Sequence, residues 1–402
     1  NLKMNILTRV AVILFYLDLL ALTVLGKTFS KLQILSLGLN TDHGLFAHDM
    51  LLLIIATLCL VQFRWRKNRL FFVEFVIVIS LIYLVYSFII VEANNYFYVI
   101  RQYSIFGYMA IVYIITKHFF EEGVLKNTPK IILFLGFCSI LIQTIYSINI
   151  YLLDSLDFNQ RNAYSPMIKM GIIFFSVYVV TSSKINTIYK APLFVFCFLI
   201  SLTIGHDSVY LSLVLSASIY IFIISSKKLK FIISFVLIVL FFTTMHYIPS
   251  FTDVNANWRL IFWEDMAKRI ADNYFFIGEG FGVNLVSDET LKVLNNLMSY
   301  HGYNVSLVGE ERFTNGPHNS FLTIAFHNGL ISLLTLFLPL FYYAFKLWPL
   351  KKNLFMMLVF LGISVLSFFN VILELPHTSS VYWLVFFYLM FELKSAYIHQ
   401  SE

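Results

Sequence analysis

Apolar stretches of about 17–25 residues recur along the whole chain, each long enough to cross about 30 Å of hydrocarbon as a helix. Few folds are open to such a chain. Runs of that length, repeated along the chain, are read as spanning helices of a polytopic membrane protein rather than as a soluble enzyme with a tail. Charge agrees: 12% of the 402 residues are charged and 59% are hydrophobic, against about 25% charged in soluble domains. The expected fold is an all-α polytopic membrane protein with about twelve transmembrane helices. They fall at 6–26, 45–63, 70–91, 96–116, 130–153, 164–182, 190–205, 208–225, 230–248, 318–346, 353–371 and 378–397. The first run lies beside Lys3 and Arg9, as in a signal peptide. No small-x-small cleavage site follows it, so it reads as a retained helix. Cys59, Cys138 and Cys197 sit in separate runs and offer neither a disulfide framework nor a metal-binding spacing.

The connecting segments alternate in charge. One set carries Arg64, Arg66, Lys67 and Arg69, then Lys117, Lys126 and Lys130, then Lys184 and Lys190, then Lys227, Lys228 and Lys230, then Lys346, Lys351 and Lys352. The other short connections carry only Lys27, Lys31 and Arg161. The positive-inside rule puts the first set in the cytoplasm, with both termini on that side. The net charge of +6 then follows from topology rather than from a nucleic-acid partner. Residues 1–248 hold the first nine spans, 249–317 form one long outer segment, and 318–402 hold the last three. A connection that long is functional more often than idle.

Within it, 257–273 reads NWRLIFWEDMAKRIADN. At 100° per residue, Arg259, Phe262, Trp263, Met266, Ala267 and Ile270 share one arc, and Glu264, Asp265, Lys268 and Asp272 the other. This amphipathic helix either lies on the membrane or caps the bundle. Arg259, in the middle of the apolar arc, either snorkels to headgroups or holds an anion. The following FFIGEGFG, 275–282, predicts a flexible turn or a close backbone approach. It is not a nucleotide loop, because no strand precedes it. Arg161, Arg101 and Lys169 also lie at the outer ends of spans. A lysine as deep as Lys169 is costly in lipid and is expected to face a cavity. Several cations at the outer leaflet suit a multiply charged anion such as a lipid pyrophosphate.

The next span opens GPHNSFLTIAFHNGLIS, 316–332, with two His-Asn pairs. If it is one helix, Ala325, Gly329 and Ser332 lie within about 40° of His318 around the axis, a small-residue stripe that lets another helix approach. His327 then points about 180° away. His318 is the expected functional histidine and His327 a structural one.

An arginine in a mid-chain outer loop, W-R ahead of G-x-G-x-G, and H-N-x9-G-x2-S opening the next span together resemble the bacterial O-antigen polymerase and O-antigen ligase family. The resemblance covers about 156–332. It implies a membrane glycosyltransferase of the inner membrane, with a long periplasmic loop and its site facing the periplasm. Its substrate would be an undecaprenyl-diphosphate-linked oligosaccharide, transferred to an acceptor hydroxyl with inversion. Polymerases use a second lipid-linked repeat as acceptor; ligases use the lipid A core. Where ligases carry an arginine in an R-x3-L context, this chain reads LTIGHDSVYLSL, with His206, Asp207 and Ser208, which favours the polymerase. The implied roles are a diphosphate clamp of Arg161 and Arg259, with Arg101 or Lys169 replacing the missing arginine. His318 would be base or orienting donor, and Asn319 would orient the ring or hold a sugar. Glu279 would contact the substrate, and Glu279, Glu310 and Glu311 are alternative bases. No metal or other cofactor is expected, nor any nucleic acid; a chain-length regulator protein is an expected partner. The competing class, a lipid-linked oligosaccharide flippase, would spread its intramembrane charges through the depth of the bundle.

Overall fold

The apolar runs fold as helices, and polar residues at their ends set the boundaries. In the computed structural model the described residues are 5–36, 44–62, 67–151, 166–204, 206–226, 254–273, 276–300, 313, 316–347 and 353–401. The first helices are α1 (Ile6–Val24), the short α2 (Lys27–Ser30) and α3 (Ala47–Leu60). Next come α4 (Phe71–Ile90), α5 (Tyr96–Glu121), α6 (Thr128–Tyr151), α7 (Pro166–Thr181), α8 (Thr187–Leu202) and α9 (Asp207–Ile224). Then follow α10 (Val254–Asp272), α11 (Asp288–Tyr300), α12 (Ser320–Asn328), α13 (Leu330–Leu347), α14 (Leu354–Phe369) and α15 (Pro376–Ser401). Two short antiparallel strands, β1 (Gln33–Ser36) and β2 (Gly44–Phe46), precede α3. Asn5 caps α1 by accepting from the Leu7 N–H, and Asp49 accepts from the Phe46 N–H at 3.0 Å to close the start of α3.

The chain is an all-α membrane protein. Among the described residues six helices are long and apolar enough to cross a membrane: Ile6–Val24, Phe71–Ile90, Tyr96–Glu121, Leu125–Asn149, Leu330–Leu347 and Pro376–Gln400. Five shorter apolar helices, Ala47–Leu60, Met167–Thr181, Thr187–Leu202, Ser208–Ile224 and Leu354–Phe369, accompany them. The expected span at 230–248 lies outside the described residues.

α15 forms the centre: 72% of its apolar window is buried, against 22% for α4 at the periphery. Lipid tails are as apolar as leucine, so burial alone does not bring such helices together; close packing and interhelical hydrogen bonds do. Tyr382, Trp383, Phe386 and Phe387 of α15 are fully buried. Phe387, Phe386 and Tyr382 interlock with Tyr113 of α5, Phe337 of α13 and Phe360 of α14, respectively, at ring separations of 5.4–5.6 Å. At the α6–α7 crossing, a Cβ added to Gly171 would stand 1.9 Å from Ser139 Oγ, so only glycine permits this approach. Polar ties cross the interior as well. His48 of α3 bridges Asp18 of α1 and the Pro376 carbonyl, each at 2.9 Å.

Two ends of the bundle are thereby defined. At one, Lys394 donates to the Arg69 carbonyl at 2.7 Å, and Arg69 pairs with Glu74. At the other, the mouth, lie α10, α11 and the loops beside them.

Two expectations need correction. The run 318–346 is not one helix: α12 stops at Asn328, Gly329 takes φ +80°, and α13 begins at Leu330. The Ala325–Gly329–Ser332 stripe is therefore broken, and His318 precedes the helix rather than standing on it. The amphipathic helix, α10, also differs from its wheel. Phe262, Met266 and Ile270 are buried, but Ala267 is exposed and Asp265 buried. Asp265 accepts from the Ser287 N–H at 3.0 Å, Ser287 Oγ at 2.5 Å and Thr290 Oγ1 at 2.8 Å, tying down the start of α11. A second helix covering its polar flank is what the single-helix wheel lacks. Phe262, Met266 and Ile270 pack with Leu285, Val286, Leu294, Ala325 and Phe326, so α10 caps α12.

Candidate functional site at the mouth of the bundle

The break at Gly329 is built from both sides of the chain. The peptide N–H groups of Glu279 and Gly280 donate to the carbonyls of Phe326 and His327, at 2.8 and 3.1 Å, and so satisfy the end of α12. This needs contact without side chains: a Cβ on Gly278 would meet His327 O at 2.0 Å, and one on Gly329 would meet Phe276 O at 2.1 Å. On the far side, Tyr83 and Ser87 of α4 accept from the N–H groups of Gly278 (2.9 Å) and Phe281 (2.8 Å). Gln102 of α5 accepts from Gly282 N–H at 2.7 Å and donates to the carbonyls of Val283 and Phe313. The N–H groups of GEGFG are thus consumed inside the protein. Of the two readings of this stretch, the close approach is the one found.

His327 belongs to this clamp. Its Nδ1 is 2.6 Å from the Gly280 carbonyl, its ring stacks on Phe281, and it is 1% exposed. Glu279 belongs to it too. It pairs with Arg269 at 3.3 Å and accepts from Asn273 at 3.1 Å. Glu279, expected as a substrate contact or base, is a partly exposed carboxylate held by its own loop.

His318 lies on a short strap between that clamp and α12. α10 fixes the strap: Trp263 Nε1 donates to the Pro317 carbonyl at 2.6 Å, and the Trp258 ring meets the His318 ring edge-on at 5.7 Å. His318 has φ +55°, a left-handed conformation that non-glycine residues adopt only when their surroundings hold them there. Asn319 is the cap of α12; its Oδ1 accepts from the Leu322 N–H at 3.0 Å, so that oxygen serves the helix. Ser320 accepts from the N–H groups of Ile372 and Leu373 and donates to Glu374 at 2.5 Å, anchoring α12 to the loop before α15.

Four side chains from four segments converge beside the strap: Lys169 from the first turn of α7, His206 just before α9, Arg259 of α10, and His318. Burial lowers the His318 pKa to about 4, helped by the charges of Arg259 and then Lys169. His206 is lowered to about 3 by burial, then by Lys169, Arg259 and His318. Both imidazoles are therefore neutral at pH 7, beside two fixed positive charges. Such a group can hold a multiply charged anion and offers ring nitrogens for a proton.

Lys169, Arg259 and His318 were singled out from sequence, and the fold brings them together. Arg101 is exposed in the second turn of α5 and is not among the cations acting on either histidine. Arg161, Glu310 and Glu311 lie outside the described residues. His206 was visible only as a departure from a pattern. Its neighbour Ser208 accepts from Asn370 at 2.7 Å, linking α9 to the same loop that holds Ser320. Glu374 went unnoticed, although a lone acid in a short connection between two apolar runs was the available signal.

The sequence matches no protein-family model, and a comparison with curated proteins also found no match.

Proposed function

We propose that the chain is an O-antigen-type surface-polysaccharide polymerase. It is read as a multi-pass glycosyltransferase of the bacterial inner membrane, acting on undecaprenyl-diphosphate-linked glycans at the periplasmic face. The observation that carries this reading is the convergence of Lys169, Arg259, His206 and His318 at the end of the bundle opposite Arg69 and Lys394. Cations gathered at one end fit an anionic lipid headgroup better than a substrate path through the membrane, whose polar groups would run through its depth.

In this mechanism Arg259 and Lys169 hold the donor diphosphate and stabilise charge as the anomeric carbon–phosphate oxygen bond breaks. The acceptor hydroxyl oxygen bonds to the anomeric carbon, its proton passes to a ring nitrogen of His318, and the lipid diphosphate leaves. Alone among cations, an imidazole lowered to about 4 is a weak base. The donor's negative charge beside Arg259 and Lys169 offsets that field and raises its basicity. Donor binding thus prepares the base it requires.

The test is complementation of a host deleted for its own copy, followed by gel electrophoresis of surface polysaccharide. Arg259→Ala and His318→Ala are expected to remove the ladder and retain core bearing one repeat. Full ladders from both variants would overturn the assignment. Loss of every repeat, including the first, would identify a ligase acting on the lipid A core instead.

A further inference from the structure

A pocket open to solvent lies at the mouth, lined by none of the four residues of the cation group. It has a volume of about 260 Å³ and is lined by Arg269, Asn284, Val286, Ser287 and Asp288. A water occupies about 30 Å³ of liquid, so the space admits a group of several heavy atoms. Its electrostatics are the reverse of those around His318. The Arg269 charge is already met by Glu279 at 3.3 Å, and Asp288 adds an exposed carboxylate. An anion is therefore disfavoured here.

What the cavity offers is hydrogen bonding. Asn284 Oδ1 is an acceptor closed within this wall, with no partner among the described residues, an arrangement that carries a cost until the side chain turns to meet a donor in the pocket. Arg269 spends Nε and an Nη2 N–H on Glu279 and one Nη1 N–H on the Asn284 carbonyl at 2.9 Å, which leaves two of its five N–H donors. Donors and acceptors on one wall, with Val286 beside them, match a ring bearing several hydroxyl groups. The position also fits. Arg269 is ten residues after Arg259 on α10, about 15 Å along the axis at 1.5 Å per residue.

We infer that the cavity of Arg269, Asn284 and Asp288 is a subsite for an uncharged sugar ring of the glycan, set along α10 from the diphosphate group. The inference rests on the proposed function and adds a place for the saccharide. α10 then acts as a ruler, its first turns holding the reacting diphosphate end and its last turns a sugar further along the chain.

The test uses the full-length protein in nanodiscs. Saturation-transfer NMR would be run with free glucose, galactose and N-acetylglucosamine, and with the neutral oligosaccharide released by mild acid from a lipid carrier. Binding of inorganic pyrophosphate would be measured alongside. Saccharide signals are expected in the wild type and should fall at least tenfold in Asn284→Leu, which replaces the polar carboxamide in the wall by an apolar group of similar length. Asp288→Ala, a change at an exposed position, is expected to weaken the same signals and guards against misfolding of the first variant. Pyrophosphate binding should survive both and be lost in Arg259→Ala. Absence of saccharide signal in the wild type, its persistence in Asn284→Leu and Asp288→Ala, or its loss in Arg259→Ala alone would overturn the subsite. Failure of the wild type to bind pyrophosphate would instead overturn the proposed function, while leaving a saccharide cavity measurable.

Discussion

Two His-Asn pairs nine residues apart, His318-Asn319 and His327-Asn328, sit in opposite environments. The first is on a strap held by tryptophans, with its imidazole among cations. The second is sealed in the seam where the glycine loop meets the end of α12, His327 1% and Asn328 0% exposed. His327 spends Nδ1 on Gly280, and its Nε2 and both amide atoms of Asn328 have no partner among the described residues. Polar atoms in such a seam are retained at a cost in stability unless waters satisfy them. The same dipeptide thus serves charge at the mouth and backbone geometry in the seam. A motif's letters do not carry its role; the segments packed around it do.

The sharpest way to break the comparison is at the charges. Arg259→Ala should lower glycan transfer about 10²–10³-fold, the usual loss when one donor to developing charge is removed, with the thermal midpoint little changed because Arg259 is only half-buried. His318→Ala should lower it by about 10²-fold or more. A transfer assay with a lipid-linked donor, read beside a melting curve, checks both. His327→Ala should do the opposite. It leaves the Gly280 carbonyl without its partner and opens a void beside Phe281, destabilising the protein by about 1–3 kcal/mol, while transfer per folded molecule is retained. A His327→Ala protein with wild-type melting and no transfer would reverse the two roles.

The helical bundle was legible because apolar length is a local property, read one run at a time. The break within 318–346 was not. Its cause is Gly329 at φ +80° together with a loop some fifty residues upstream that donates to Phe326 and His327, and no local pattern announces a hydrogen bond from so far away. Arg259 and Lys169 were legible as charges out of place on apolar faces. His206 and Glu374 were not, because each gains its meaning from partners on other helices. Asp265 was misplaced for the same reason: α11 covers the flank that a wheel assigns to water.

Acid should separate the pairs again, by a smaller margin. A free histidine titrates near 6.5, whereas folding lowers His318 to about 4 and His206 to about 3. Between these values and 6.5 the unfolded chain binds more protons than the folded one, so stability rises with pH across that window. It is complete above about 6.5 and is lost as pH falls through about 4 and then 3. Melting temperatures from pH 7 to pH 4.5 should fall for the wild type and fall less steeply for His206→Gln and His318→Gln. Pyrophosphate, placing negative charge beside Arg259 and Lys169, should flatten the wild-type slope as well. An unchanged slope in both variants would remove these two histidines from the acid response.

The smallest effect belongs to Arg101. In α5 it adjoins Gln102, which is turned into the glycine loop, and successive side chains diverge by about 100°. Arg101 is exposed, and neither mouth histidine feels its charge as it feels Arg259 and Lys169. An exposed cation acts on a distant anion chiefly through solvent, over a screening length of about 8 Å at physiological ionic strength. Arg101→Ala should therefore weaken pyrophosphate binding by about threefold at most in low salt. That loss should disappear at high salt, while the loss from Arg259→Ala persists because a half-buried contact is screened far less. Salt titration of pyrophosphate affinity in the two variants separates contact from field. An Arg101→Ala defect that survives high salt would place Arg101 in the anion site beside Arg259.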